Sequence, residues 1–212
     1  ASQKSINPYM KKFFRSVFAV STLSMLMTSC SFLNPGPVPE DIIGDQPGEL
    51  QAKINELLDQ AGTDSTKVEF AEISSSFLYN PGDNTANVHV QIISPDDKNK
   101  MVQYSWSDMK DRRNMCEKFD LTVSTFLDND VVDSYDGYKE MLFTYDDARK
   151  YLNNLPTYCK EALEASGYKD NGYIDNFTMS NKQIIISVKH KDGGFHKTYN
   201  ISKDGEHIVI PE

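Results

Sequence analysis

Residues 68–107 read VEFAEISSSFLYNPGDNTANVHVQIISPDDKNKMVQYSWS, and they decide the fold. Three runs rich in β-branched and aromatic residues, VEFAEISSSFLY from Val68, NVHVQII from Asn87 and MVQYSWS from Met101, read as strands. Asn80-Pro81-Gly82-Asp83-Asn84 separates the first pair and Pro95-Asp96-Asp97-Lys98-Asn99 the second, and both have the composition of turns. Short turns between strands predict antiparallel hairpins. Because side chains alternate along a strand, Val102, Tyr104 and Trp106 share one face.

Upstream, Leu50, Ile54, Leu57, Leu58 and Ala61 recur at helical spacing, with Glu49, Lys53, Glu56 and Asp59 on the other side and Gly62 placed to stop the helix. Downstream, KFDLTVSTFL from Lys118 and YKEMLFTY from Tyr138 alternate as strands do, and Asp128 to Gly137 forms an acidic loop between them. Thr144 and Asp147 have capping-box spacing, so a second helix starts near Asp146 and buries Ala148, Leu152, Leu155, Cys159 and Leu163. Pro156 kinks or restarts it and Gly167 ends it. GYIDNFTMS, QIIISVKH, FHKTYNIS and HIVI then read as four strands, with turns at Lys191-Asp192-Gly193-Gly194 and Lys203-Asp204-Gly205.

The fold class expected is therefore α+β, an antiparallel sheet packed on two amphipathic helices. The two halves share an order of helix, glycine stop and three strands, and Val102 to Ser107 echoes Lys197 to Ser202. That leaves open two tandem helix-plus-strands modules, residues 48–145 and 146–212, with Trp106 and Tyr199 in comparable structural places beneath the helices. Over residues 48–107 and 146–210 this order resembles the tandem modules of PepSY-like and β-lactamase-inhibitor-like proteins. The resemblance implies binding or restraint of other proteins, and the extra strands at Phe119 and Tyr138 depart from it.

Residues 10–30, MKKFFRSVFAVSTLSMLMTSC, carry a basic start at Lys11, Lys12 and Arg15, then an apolar run from Val17 to Met27 too short to span a bilayer, then small polar residues and a cysteine. Leu26-Met27-Thr28-Ser29-Cys30 resembles a lipobox, and the chain in this respect resembles a bacterial, Bacteroidota-like lipoprotein. The resemblance implies removal of residues 1–29, lipidation of Cys30 and, with Ser31 following, an outer-membrane position facing the periplasm. Acyl chains add about 0.8 kcal/mol per buried methylene, so more than one chain anchors stably. Residues 30–47 then read as a lipidated cysteine and a proline-rich tether, with the folded part starting near Gly48.

Loss of residues 1–29 takes away Lys4, Lys11, Lys12 and Arg15 and no acidic residue, so the formal net charge moves from −9 to −13. Such a surface repels nucleic acid, and the partners expected are the membrane, through the lipid, and an envelope protein. Cys116 and Cys159 either pair in an oxidising compartment or stay as free buried thiols.

Signatures of catalysis are missing. There is no G-x-S-x-G, and the two S-x-x-K matches put Ser107 at a strand end and Ser166 at a helix end, away from the helix start that such a serine requires. His89, His190, His196 and His207 have no partner at metal-ligand spacing. Asp128, Asp130, Asp133 and Asp136 offer a non-standard calcium site as the alternative to a solvated loop; Val132, Asp133 and Lys139 at the fifth, sixth and twelfth positions exclude an EF-hand. No cofactor is implied. Among the 11 tyrosines, Tyr79, Tyr135, Tyr138, Tyr168 and Tyr173, together with Phe77, lie near turns or element ends and are the candidates for a binding surface. The function expected is a lipid-anchored envelope binding or interaction module without catalytic activity; the competing class is an envelope enzyme with a Cys or His site.

Overall fold

The computed structural model describes residues 17–21, 42–43, 47–81, 83–108, 115–125 and 131–210. In chain order the elements are β1 (Val17–Ser21), α1 (Pro47–Gln60), β2 (Glu69–Leu78), β3 (Thr85–Ile93), β4 (Met101–Ser107), β5 (Met115–Thr125) and β6 (Val131–Val132). The second half follows with α2 (Tyr135–Tyr138), a 3-10 turn at Lys139–Met141, β7 (Phe143–Thr144), α3 (Tyr145–Asn153), α4 (Leu155–Ser166), β8 (Gly172–Ser180), β9 (Ile184–His190), β10 (Lys197–Ile201) and β11 (Ile208–Val209).

The strands form one sheet in the order β1-β5-β4-β3-β2-β8-β9-β10-β11, with β6 on β5 and β7 on β2, and the pairings are antiparallel. The expected α+β class holds. The stretch read as a leader supplies β1 in the full chain, in register Val17↔Thr125 to Ser21↔Leu121. The middle of the sheet is the pairing of β2 with β8, which sets Ser76 opposite Asn176.

One face of the sheet makes the core with the helices. Leu50, Ile54, Leu57 and Leu58 of α1 are buried with Val88, Val90 and Ile92 of β3 and Val102, Tyr104 and Trp106 of β4, as alternation requires. On the other half, Ala148, Leu152, Leu155, Cys159 and Ala162 join Phe177, Ile186, Val188 and Tyr199 in the same cluster. Trp106 at 4 % exposure and Tyr199 at 5 % thus occupy the same side of the sheet, both in the core. Lys197, out of place in that pattern, opens β10 and donates a 2.5 Å hydrogen bond to the Ser166 carbonyl at the end of α4, where a cation meets the negative end of the helix dipole.

The second helix restarts at Pro156 as expected: α3 and α4 are broken at Asn154 with Pro156 in the first turn of α4, Thr144 and Asp147 form the capping box of α3, and Gly167 ends α4. Two expectations are corrected. The run Tyr138–Tyr145 takes in the last residue of α2, the 3-10 turn and the first residue of α3, with only Phe143–Thr144 in a strand. Its apolar residues follow a spacing of three, so that Tyr138, Met141 and Leu142 cover Ala71, Ile93 and Met101 on the face away from the long helices. Finally, the tether does not run unbroken to Gly48: Ile42 and Ile43 are 0 % exposed and belong to the core. Cys116 and Cys159 are both buried, and no disulfide joins them.

Candidate functional site

The face of the sheet opposite α1, α3 and α4 follows from register alone. Ser107 of β4 lies across from Asn87, Asn87 from Ser76, Ser76 from Asn176, Asn176 from Ser187 and Ser187 from Thr198. Because paired residues point to the same face, these six residues form one row across six strands. The next row runs Glu117, Ser105, His89, Ser74, Thr178 and Ile185; a third runs Phe119, Gln103, Gln91, Glu72 and Ser180. No lysine or arginine stands in the three rows.

The side chains are joined to one another. Ser107 Oγ donates to Asn87 Oδ1 at 2.7 Å, and Asn87 Nδ2 donates to Ser76 Oγ at 3.3 Å. Thr178 Oγ1 donates to Asn176 Oδ1 at 2.9 Å, and the hydroxyls of Ser187 and Thr198 are 3.1 Å apart. In the inner rows His89 Nδ1 is 2.8 Å from Ser105 Oγ, Gln91 Nε2 donates to Gln103 Oε1 at 3.2 Å, and Gln103 Nε2 donates to Ser105 Oγ at 3.0 Å.

Burial sets the charge of this face. It pushes the His89 imidazolium below its ordinary range, so His89 is neutral at pH 7. It pushes the Glu72 carboxyl up, against a smaller opposing effect of the Ser74 hydrogen bond. The result is a surface made mostly of short hydroxyl and amide donors and acceptors held in place by their neighbours, with Glu72 and Glu117 as its carboxyls. Holding a second surface by hydrogen bonds from such groups costs little side-chain entropy, and depletion of charge is what marks the centres of protein interfaces.

The residues singled out from the sequence are dispersed. Tyr138 at 2 % exposure and Tyr173 at 6 % are packing residues and present no ring outward; Phe77 is buried edge-on against Tyr173. Tyr79 and Tyr168 are partly exposed, under the ammonium groups of Lys191 and Lys197 respectively. Tyr135 donates its hydroxyl to Glu69 Oε1 at 2.7 Å, and that bond raises its pKa. Cys30, Asp128 and Asp130 lie outside the described residues. Asp133 is exposed, and Asp136 pairs with Lys139 at 2.9 Å, which holds its carboxyl below the usual range. Among the described residues no group of three or more His, Cys, Asp or Glu side chains is placed to hold a metal ion.

Cys116 Sγ accepts from Gln60 at 3.1 Å and Cys159 Sγ lies 3.6 Å from the Ile43 carbonyl, inside the core. The polar rows were missed because each run of sequence shows only its own alternation, while a row is made by the pairing of distant strands. A signal was present in the polar set Asn87, His89 and Gln91, which is free of charge where solvent-facing strand positions ordinarily carry lysine or glutamate. No protein-family model, curated protein or solved structure matches the chain.

Proposed function

We propose that the protein is a binding module of the cell envelope, anchored to the outer membrane by lipid on Cys30 and facing the periplasm, which holds an envelope protein against the polar face of its sheet without catalysis. The observation that carries this reading is the row of Ser107, Asn87, Ser76, Asn176, Ser187 and Thr198. It is wide, charge-free and preorganised on a chain of net charge −9.

A tandem arrangement supports the same reading. The sheet order sets β2, the first strand after α1, beside β8, the first strand after α4, so the polar face runs unbroken from β4 to β10. Two such modules make one continuous face larger than either half offers. The competing reading, an enzyme with a Cys or His site, has less support: both thiols are buried, and the described partners of three histidines are Ser105, Asp192 and Asp175.

The test is capture from envelope extract by the purified chain and by two variants, Ser76→Arg and Thr198→Arg. A long cation in the row blocks close approach without touching the core. Both variants are expected to unfold at the native temperature and to lose the partner. Retention of the same captured proteins by both variants sinks the reading.

A further inference from the structure

At one end of the sheet only β1, the stretch read as a leader, lies outside β5. It covers part of the outer edge of β5, in register Val17↔Thr125 to Ser21↔Leu121. Among the described residues no strand lies on that edge over residues 115–120. The pairing with β1 shows that the edge accepts an extended chain in antiparallel sense. Where residues 1–29 are removed, as the proposed lipidation of Cys30 requires, β1 leaves with them and residues 121–125 lose their partner strand. An open edge is a template for another strand.

The side chains of β5 select which strand fits. Lys118 lies on the helix side of the sheet, its ammonium 5.7 Å from the Tyr104 ring centroid, and by alternation Asp120 shares that side. Phe119 and Leu121 lie on the other side, where Leu121 packs against Ala71, Ile93, Met101 and Tyr138. Asp120 is exposed, and among the described residues neither Lys118 nor Asp120 has an ion pair.

Antiparallel pairing of β5 with β5 of a second copy places a two-fold axis perpendicular to the sheet, and residues that face each other then share a side. With the axis at Phe119, Lys118 stands opposite Asp120 of the second copy, and Asp120 opposite Lys118 of the second copy. A centre at Glu117, Lys118, Asp120 or Leu121 sets these two residues against themselves or against uncharged ones. Opposite charges directly across a strand pair stabilise it and like charges disfavour it. Charge thus selects one register, and a lysine of the kind that ordinarily blunts a sheet edge becomes part of the joint.

We infer that the outer edge of β5 is a self-association site, covered by β1 in the full chain and occupied by β5 of a second copy once residues 1–29 are gone, with Lys118 and Asp120 paired across the axis. Residues 121–123 cannot serve β1 and a second copy together, so the leader keeps the chain monomeric until it leaves. The axis sets both polar faces on the same side of one continuous sheet, and two partner sites then face the same way. The inference rests on the reading of residues 10–30 as a cleaved leader.

The experiment is sedimentation velocity of the full chain and of a chain beginning at Ser31, which keeps every residue of both core clusters. The full chain is expected to be monomeric and the shorter chain to form dimers. In the shorter chain Lys118→Glu and Asp120→Lys should each weaken the dimer by about tenfold or more. An equimolar mixture of the two variants should restore it, since every charge then meets its opposite; a purely structural role for either residue gives no such rescue. If the shorter chain does not fold, the full chain carrying Ala19→Pro/Val20→Pro tests the same edge. Consecutive residues turn their N–H groups to opposite edges, so one of the two prolines removes a donor from the β1–β5 ladder, and this variant is expected to dimerise. A folded shorter chain that stays monomeric, equally strong dimers in the full chain, dimers untouched by Lys118→Glu, or no rescue in the mixture would each overturn the assignment. Cleavage is read separately, from the mass of the chain extracted from the envelope. A chain still carrying residues 1–29 overturns the leader reading, whereas loss of those residues beside monomers in solution overturns the edge alone.

Discussion

His196 Nδ1 lies 2.5 Å from Asp175 Oδ2. Asp175 sits where β8 shifts register against β9, its side chain is only 10 % exposed, and its other oxygen, Oδ1, is buried without a hydrogen-bond partner. His196 belongs to the β9–β10 hairpin, whose turn glycines Gly193 and Gly194 have φ of 92° and 124°. The pair therefore clasps a loop of unusual backbone to the edge of the polar rows. Lys189 is the other charge acting on Asp175.

Burial raises the Asp175 carboxyl above its ordinary 3.8, with the charge of His196 opposing the rise. A carboxyl whose folded pKa exceeds its unfolded one contributes stability below the unfolded value and loses it as pH rises through the folded value. Asp175→Asn removes this dependence. Urea midpoints measured from below pH 3.8 to neutrality should therefore shift in favour of the variant as pH rises. A difference that stays constant with pH would show that Asp175 does not titrate in the folded state as its burial requires.

Trp106 packs in the core with Lys53 Nζ 4.7 Å from its ring centroid, and its indole N–H has no hydrogen-bond partner. Trp106→Ala should destabilise by about 3–5 kcal/mol through the cavity it leaves. Trp106→Phe should cost clearly less, since no indole hydrogen bond is lost. Denaturant unfolding of the two variants separates volume from polarity, and an unchanged midpoint for the alanine variant would remove Trp106 from the core.

Ile42 and Ile43 lie in the core although the prolines around them read as a tether. A chain that begins at Gly48 loses both side chains, and should be less stable than one beginning at Asp41 by about 4 kcal/mol or more, taking the usual cost of removing a buried isoleucine twice. Equal thermal midpoints for the two chains would return these residues to the tether.

Gly205 has φ of 72°, and a Cβ there would stand 2.7 Å from Lys150 Cε and 3.0 Å from Tyr151 Cε1. Gly205→Ala should cost about 2–4 kcal/mol, from the left-handed backbone and from disturbed hydrogen bonds of Asn154 and Tyr158 to its carbonyl. Gly193→Ala, at φ of 92° in open space, should cost only about 1–2 kcal/mol. The same substitution at the two positions thus measures how much the hydrogen bonds of Asn154 and Tyr158 to the Gly205 carbonyl add, by comparison of unfolding free energies.

The elements were legible where one side of them is solvent and the other is core. Leu50, Ile54, Leu57 and Leu58 mark α1, and the tyrosine and tryptophan of β4 share a face with Val102, because burial on one side writes a period into the sequence. Residues 138–145 misled because Tyr138, Met141 and Leu142 pack against the far face of the sheet, where a single turn of helix serves and alternation has no meaning. The polar rows and the contact of α3 with the β10–β11 turn were beyond reach for another reason. Ser76 meets Asn176, and Lys150 meets the turn at Lys203, only after strands far apart in the chain have paired.

The joint of β2 with β8 also sets an order of events in time. Ser76 and Asn176, which end up face to face, are 100 residues apart in the chain. While the chain is being made, N-terminus first, β2 can close on β3 at once but must wait for β7 and β8 before its other edge is filled. During that interval a row of backbone donors and acceptors stands open at what becomes the middle of the sheet. A neighbouring molecule in the same state offers its own β8 for that edge, so refolding at high concentration sets exchange of halves between molecules against completion of one molecule by itself.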